Sequence, residues 1–498
     1  MPSSNLSLLL IVLAIGLPLG ACTPDIEDPA SPSPSATAED LVTTLRLLPG
    51  IDDVEEVEPL DSYRTFTMTL TQPLDHNNPD GVVFKQRLRL LHIDPEAPMV
   101  LYCSGYFLPG QARVREPTAI LGANQLSVEH RYFWPSQPDP LTWEALTIEQ
   151  SADDLHHIKE VFTALYPEAW INTGGSKGGM TALFHKRFYP DDVEGTLAYV
   201  APISLDASDS RYLSFMNEVG TAECRNDILA FQREFLLRRP AMLAALDAYA
   251  ITYDLTYDFL GEEQAIEHMA LELPFSFWQY QDPALCDVIP TASDDDQTHF
   301  DFMANVVFSY FYSDWYVEGF MPYFYQAATQ LGYPAISEQN VSDLLLYPGT
   351  DIAPTYVYSD IEMTFNSESM ADVLSWIDTS GDRLMLVYGS WDPWTAAQVP
   401  LGGATDSHLY MVEGANHGAN LAQLPQAEWD EAVETLSRWA DWEIDTAARS
   451  RADRSATAAS NVIGSAGIGL DLAEAIRGAP LGIPMVGEVP SVGAIGPR

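Results

Sequence analysis

At 498 residues the chain is long enough for more than one domain, or for one domain carrying a large insertion. A hydrophobic content of 47% and 11 tryptophans exclude an intrinsically disordered chain. A formal charge of −47, from 71 acidic against 24 basic residues, excludes a nucleic-acid-binding protein and fits a solvated acidic surface, with adaptation to salt as the sharper alternative.

Residues 1–21 carry no charge, and 8–17 are almost entirely apolar, a core too short to span a bilayer comfortably, so they read as a signal segment. It ends in Leu19-Gly20-Ala21-Cys22, which resembles a lipobox whose cysteine is lipidated after cleavage. The expectation is an exported lipoprotein held at the membrane through Cys22; plain secretion is the alternative, since no Lys or Arg precedes the apolar core. Residues 22–42, rich in Pro, Ser, Ala and acidic groups, read as a flexible tether.

The folded part then begins. Residues 64–71 and 82–90 alternate apolar and polar positions as strands do, with a turn-rich connection between them, and 99–104 and 125–130 read as further strands. Residues 143–166 show helical spacing through Ile148, Leu155, Ile158 and Phe162. A strand at 169–173 and a helix at 180–189 follow, then a strand at 195–200. Such alternation implies a mostly parallel sheet covered on both faces. It stops near Ser204: residues 205–365 hold helical stretches at 227–249 and 262–272 and an aromatic-dense segment at 300–325. Strands return at 383–389 and 408–412, before a helix at 428–442. The expected architecture is therefore one α/β domain, 43–204 and 366–445, interrupted by a helical insertion, 205–365. Residues 446–498 read as a low-complexity, disordered tail, with a short helix conceivable at 470–476.

The chemistry is concentrated where the strand at 169–173 meets the helix at 180–189. Between them stands Gly174-Gly175-Ser176-Lys177-Gly178, a Gly-x-Ser-x-Gly pattern on a strand-to-helix turn. Small neighbours let the chain bend sharply enough to lift the hydroxyl above the sheet edge, and the helix N-terminus favours developing negative charge. A hydrolase serine needs a base, and the base an orienting acid, in the chain order Ser, Asp or Glu, His. Asp392 sits in the loop Ser390-Trp391-Asp392-Pro393-Trp394 after a late strand, where a plain turn aspartate is the alternative. His417 lies in the small-residue loop after the last strand, whereas His408 lies inside a strand and His156 and His157 on a helix. Ser176, Asp392 and His417 are thus the expected triad.

The oxyanion hole should take the N–H of Lys177 and a second N–H from the loop Ser104-Gly105-Tyr106, from Gly105 or, preferably, Tyr106; the Lys177 side chain is expected to be exposed and without a role. His156-His157 point to different helix faces, so no metal site is expected, and no cofactor pattern is visible. Cys224 and Cys286, both in the central helical region, are expected to pair in an oxidising compartment, while Cys103 in its apolar run reads as a small buried hydrophobe.

Longer motifs accompany these residues: Gln72-Pro73-Leu74-Asp75-His76, Phe84-Lys85-Gln86-Arg87, Ser104-Gly105-Tyr106, Glu129-His130-Arg131-Tyr132, residues 174–180, Phe188-Tyr189-Pro190, residues 388–394 and Asn416-His417-Gly418. Together they resemble the bacterial secreted prolyl tri/tetrapeptidyl aminopeptidases, serine peptidases related to lysosomal Pro-Xaa carboxypeptidase and dipeptidyl peptidase II, over residues 60–440. The resemblance implies an α/β-hydrolase with a helical cap that removes short peptides from free N-termini by cleavage after proline, with Ser176, Asp392 and His417 as its triad. It also implies a proline pocket of cap aromatics, with Trp278, Trp315, Phe311 and Tyr312 as candidates and cap core as the competing reading for any single one, and an acceptor for the substrate ammonium, with Glu129 as candidate and a structural ion pair with Arg131 or Arg87 as its competing explanation. An ester hydrolase on the same fold and an inactive peptide-binding lipoprotein are the alternative functions.

Overall fold

The computed structural model describes residues 35–444. The signal segment, Cys22, the beginning of the tether and the tail expected from 446 onward lie outside the described residues. Part of the expected tether is helical: α1 (Ser35–Arg46) places Leu45 in a core shared with Ile51 and Val54 of the first strand.

Nine strands form one sheet: β1 (Ile51–Leu60), β2 (Tyr63–Pro73), β3 (Val83–His92), β4 (Met99–Cys103), β5 (Asn124–Val128), β6 (Trp170–Gly175), β7 (Gly195–Tyr199), β8 (Leu384–Gly389) and β9 (His408–Val412). Their spatial order is β1-β2-β3-β5-β4-β6-β7-β8-β9. The first three are antiparallel and join β5 antiparallel; from β5 to β9 every pairing is parallel. The central strands are short charge-free runs because helices bury both of their faces. β1 is different. Five of its ten residues are acidic, only Ile51 and Val54 are buried, and its pairing with β2 is irregular at two points. A charged, bulged edge strand of this kind resists edge-to-edge pairing, and its weak alternation is why no strand is predicted there.

Four helices of the main layer precede or flank the insertion: α1, then α2 (Glu116–Leu121), α3 (Ile148–Thr163) and α4 (Lys177–Phe188). After β7 the chain leaves the sheet and builds α5 (Arg211–Met216), α6 (Ala222–Leu237), α7 (Arg239–Tyr253), α8 (Glu262–Tyr280), α9 (Asp296–Val307) and α10 (Asp314–Gln326). These helices share a core of their own around Phe231, Phe235, Met269, Phe277 and Met303. A disulfide between Cys224 and Cys286, with Cα atoms 5.3 Å apart, ties α6 to the segment after α8. The main layer resumes with α11 (Glu368–Ser380), and α12 (Gln426–Trp439) packs Trp429, Leu436 and Trp439 on the same sheet face as α2.

One cap helix exceeds its predicted length for an identifiable reason. Pro274 lies inside α8, where it removes the N–H that would bond the carbonyl of Ala270. The Gln232 side-chain amide from α6 donates to that carbonyl at 2.8 Å, so the helix runs on to Tyr280 instead of ending at 272. This extension carries one face of α8 over the site.

Candidate active site

Ser176 sits between the end of β6 and the start of α4 with φ 54° and ψ −127°, a left-handed conformation that is costly for a residue with a side chain. Its hydroxyl makes no capping bond to α4 although it occupies the cap position, so the oxygen is left to the cavity above. The turn fits only because its neighbours are glycines. A Cβ on Gly178 would come within 2.3 Å of the Cys103 carbonyl, and one on Gly105, at φ +75°, within 2.3 Å of the Gly178 nitrogen. The loop after β4 and the serine turn are therefore in direct backbone contact.

His417 follows β9, and Asp392 follows β8. The Nδ1–H of His417 donates to Asp392 Oδ2 at 2.7 Å, and both side chains are buried. That bond fixes the tautomer and leaves Nε2 for the side facing Ser176. The other oxygen of Asp392 accepts from the backbone N–H of Trp394 at 3.1 Å, so the residue is a turn aspartate as well as the partner of the imidazole. The His417 backbone N–H donates to the carbonyl of Gln279 on α8 at 3.1 Å, tying the histidine loop to the cap.

Of the expected oxyanion residues, Lys177 begins α4 and Tyr106 faces the serine with its side chain. The Tyr106 phenol is driven upward in pKa by burial and drawn partly back by a hydrogen bond to Ser176. Its backbone N–H lies 3.3 Å from Ser104 Oγ. The Lys177 side chain differs from expectation: it is 2% exposed, and its Nζ donates to the Gly105 carbonyl at 2.9 Å beneath the rings of Tyr106 and Phe133. Burial pulls its pKa far below the usual lysine range. An apolar surround disfavours the ammonium form, and the Nζ contact ties this side chain to the loop Ser104-Gly105-Tyr106.

Ser176, His417, Tyr106 and Lys177 line a cavity of about 250 Å³ between the sheet and the cap. The cap contributes Glu272, Phe275, Ser276, Gln279 and Tyr280, the i, i+3, i+4, i+7, i+8 face of α8. Phe311, Tyr312, Tyr316, Phe320 and Tyr323 complete that wall, and Arg113 and Arg115 belong to the sheet-side wall.

Three expected binding residues lie elsewhere. Glu129 is fully buried at the end of β5, paired with the Arg87 guanidinium and accepting from Leu108 N–H at 2.9 Å and Ser136 Oγ–H at 2.7 Å. Its carboxyl is pushed up to about 7 by burial despite Arg87, and it does not line the catalytic cavity. Trp278 is buried in the cap core over Gly220, and Trp315 packs in a satellite aromatic cluster; neither reaches the cavity wall. Phe311 and Tyr312 do reach it. Glu272 is the wall residue sequence reasoning missed. The helical spacing 272, 275, 276, 279, 280 is legible only if α8 continues through Pro274, and the proline hides that signal.

The longer motifs meet beneath the oxyanion loop. Arg131 grips Asp154 with two bonds of 2.7 Å and also donates to the carbonyls of Leu74 and Ala145. His76 adds a 2.8 Å contact to Asp154, and Gln72 bonds Gln86 and the Asp154 carbonyl. They are scaffold that braces the loop after β5, whose His130 N–H donates to the Tyr106 carbonyl at 2.9 Å.

Residues 34–471 match the family model described as PS-10 peptidase S37. A protein named prolyl tri/tetrapeptidyl aminopeptidase, from Streptomyces mobaraensis, is 38% identical over 439 residues, which cover 87% of this chain and 91% of that relative. Among solved structures, proline iminopeptidase from Mycobacterium smegmatis aligns over 75% of this chain and 98% of its own, at 14% identity and a TM-score of 0.35. Acetyl xylan esterase 1 from Thermoanaerobacterium sp. aligns over 82% and 95%, at 10% identity and a TM-score of 0.35.

Proposed function

Since the chain belongs to the S37 peptidases and is a serine peptidase of the α/β-hydrolase fold, we propose that it is an exported aminopeptidase that releases tri- or tetrapeptides from free N-termini by cleaving after proline. The observation that carries this reading is the single cavity in which Ser176 and the Asp392-supported His417 face an aromatic cap wall. Flat phenol and phenyl surfaces suit a proline ring, and a roofed cavity admits the end of a chain rather than its middle. The 38% identical relative bears the same activity in its name.

In the reaction, His417 Nε2 takes the Ser176 proton as Oγ attacks the carbonyl after proline, and Asp392 stabilises the imidazolium that forms. The oxyanion rests on the Lys177 N–H at the start of α4 and on a donor from Tyr106. Collapse of the tetrahedral adduct breaks the C–N bond, the imidazolium protonates the leaving amine, and water then releases the acyl peptide by the same steps.

Export accords with the Cys224–Cys286 disulfide, which persists in oxidising compartments. Lipid attachment at Cys22 is tested by fatty-acid labelling of the native protein and of Cys22→Ala; label retained in the variant removes the anchor from the reading.

The deciding experiment compares wild type and Ser176→Ala on an Ala-Ala-Pro chromogenic peptide and on short acyl esters. Wild type should turn over the peptide and Ser176→Ala should not, with unchanged thermal unfolding. Peptide turnover by the variant, or turnover of esters alone by wild type, overturns the proposal.

A further inference from the structure

The described buried carboxylates fall into two groups. Glu116, Glu129, Asp154, Asp209, Glu267 and Asp392 each face a cation, an imidazole or a set of hydrogen-bond donors. Asp351 meets only the imidazole of His268, 3.8 Å away, and the hydroxyl of Tyr356, and its half-buried neighbour Glu272 meets no such group among the described residues. Glu272 lines the catalytic cavity from α8 and makes no hydrogen bond or ion pair with any described residue. Its charge bears on the phenols of Tyr280, Tyr312, Tyr323, Tyr333 and Tyr356, which surround it. Asp351 is 4% exposed; its Oδ1 accepts from the hydroxyl of Tyr356, itself a cavity residue, at 2.8 Å, and its Oδ2 is buried with no partner.

Burial and, for Glu272, the nearby Asp351 push both carboxyls upward in pKa, and no cation counters the shift. His268 Nδ1 lies 3.8 Å from Asp351, but burial lowers its pKa to about 4, so it is neutral where the peptidase would work. A carboxylate on the wall of an aromatic cavity, with a second carboxylate beside it that has an idle oxygen, constitutes a site that lacks its cation. An α-ammonium group supplies one positive charge and three N–H donors in a compact volume, and phenol rings accept it favourably at their faces.

We propose that Glu272, backed by Asp351, receives the α-ammonium group of the substrate peptide, so that the span from this carboxylate to Ser176 sets the length of peptide released. The assignment rests on the aminopeptidase reading and replaces Glu129 as the acceptor. Arg113 and Arg115 on the sheet-side wall repel an ammonium group, which leaves the cap wall as its place.

The test uses three Ala-Ala-Pro chromogenic peptides: one with a free amine, one N-acetylated, and one whose first residue is a propionyl group lacking the nitrogen. Wild type should prefer the free amine over the propionyl analogue by on the order of 10- to 100-fold in kcat/KM, the range of a charge-assisted contact. Glu272→Gln should collapse that ratio to near unity, Asp351→Asn should reduce it less, and Glu272→Asp should retain part of it. Fluorophosphonate labelling of Ser176 shows in each variant that the active site is assembled. A wild-type enzyme without the preference overturns the assignment, as do assembled variants that keep the full ratio. If labelled wild type cleaves no prolyl peptide at all, the aminopeptidase reading falls and the assignment with it.

Discussion

Buried charge is handled in opposite ways above and below the loop Ser104-Gly105-Tyr106. Below it, Asp154 is buried with both oxygens engaged by Arg131 and His76, and Arg131 has further carbonyl acceptors. Despite burial, the Arg131 guanidinium and His76 hold the Asp154 carboxyl below its usual value. Above it, the Glu272 and Asp351 carboxyls are shifted upward and meet no cation among the described residues. A network complete within the folded chain stabilises that fold, whereas an incomplete one costs stability until a ligand completes it. The contrast is one of burial and partners alone, and under the proposal above it separates scaffold from binding site.

The comparison breaks most visibly if the lower network is opened. Asp154→Asn leaves the Arg131 guanidinium buried beside a neutral amide, and we expect a loss of about 3–5 kcal/mol in chemical unfolding. A loss below 1 kcal/mol would mean that solvent already screens the pair. The next largest effect has the opposite sign. Asp351→Asn keeps an acceptor for Tyr356 while removing an uncompensated charge, and should raise stability by about 1–3 kcal/mol in mildly alkaline buffer.

The pH dependence of the two regions should diverge accordingly. Asp154 has its folded pKa lowered, so its contribution is present above its unfolded value of 3.8 and is lost as pH falls through the folded value. Asp351 is raised to about 7, so its contribution is fully present below 3.8 and is lost as pH rises through 7. The stability gained by Asp351→Asn over wild type should therefore shrink on acidification. A gap that is constant with pH would show that Asp351 does not titrate in this range.

Lys177 is the intermediate case and gives the smallest effect. It is a buried amine with one acceptor, the Gly105 carbonyl. Lys177→Met keeps the volume, so stability should change by less than about 1.5 kcal/mol. Loss of the tether should lower kcat on the prolyl peptide by about tenfold with little change in KM, as expected for an oxyanion loop that is less well positioned. A change confined to KM would assign Lys177 to substrate binding instead.

The sequence by itself determined what depends on local order. The strand, sharp turn and helix around Ser176 follow from glycine placement and apolar runs. Asp392 and His417 follow from their places just after β8 and β9, because in a parallel sheet the strand ends converge on one edge. The interruption between 205 and 365 was legible as a break in strand–helix alternation. Edge strand β1 was hidden by its acidic residues, and the second half of α8 by Pro274.

Only the tertiary structure decided which acidic residue is paired and which is not. Glu129, between Val128 and His130, and Glu272, between Leu271 and Leu273, are the same letter. The first is paired with Arg87, 42 positions earlier in the chain, while the second meets no cation among the described residues. Lys177, next to Ser176, is likewise buried because the Gly105 carbonyl and the ring of Phe133 close over it. Charge compensation and burial are collective properties of segments distant in sequence, and periodicity, spacing and turn chemistry report only on neighbours.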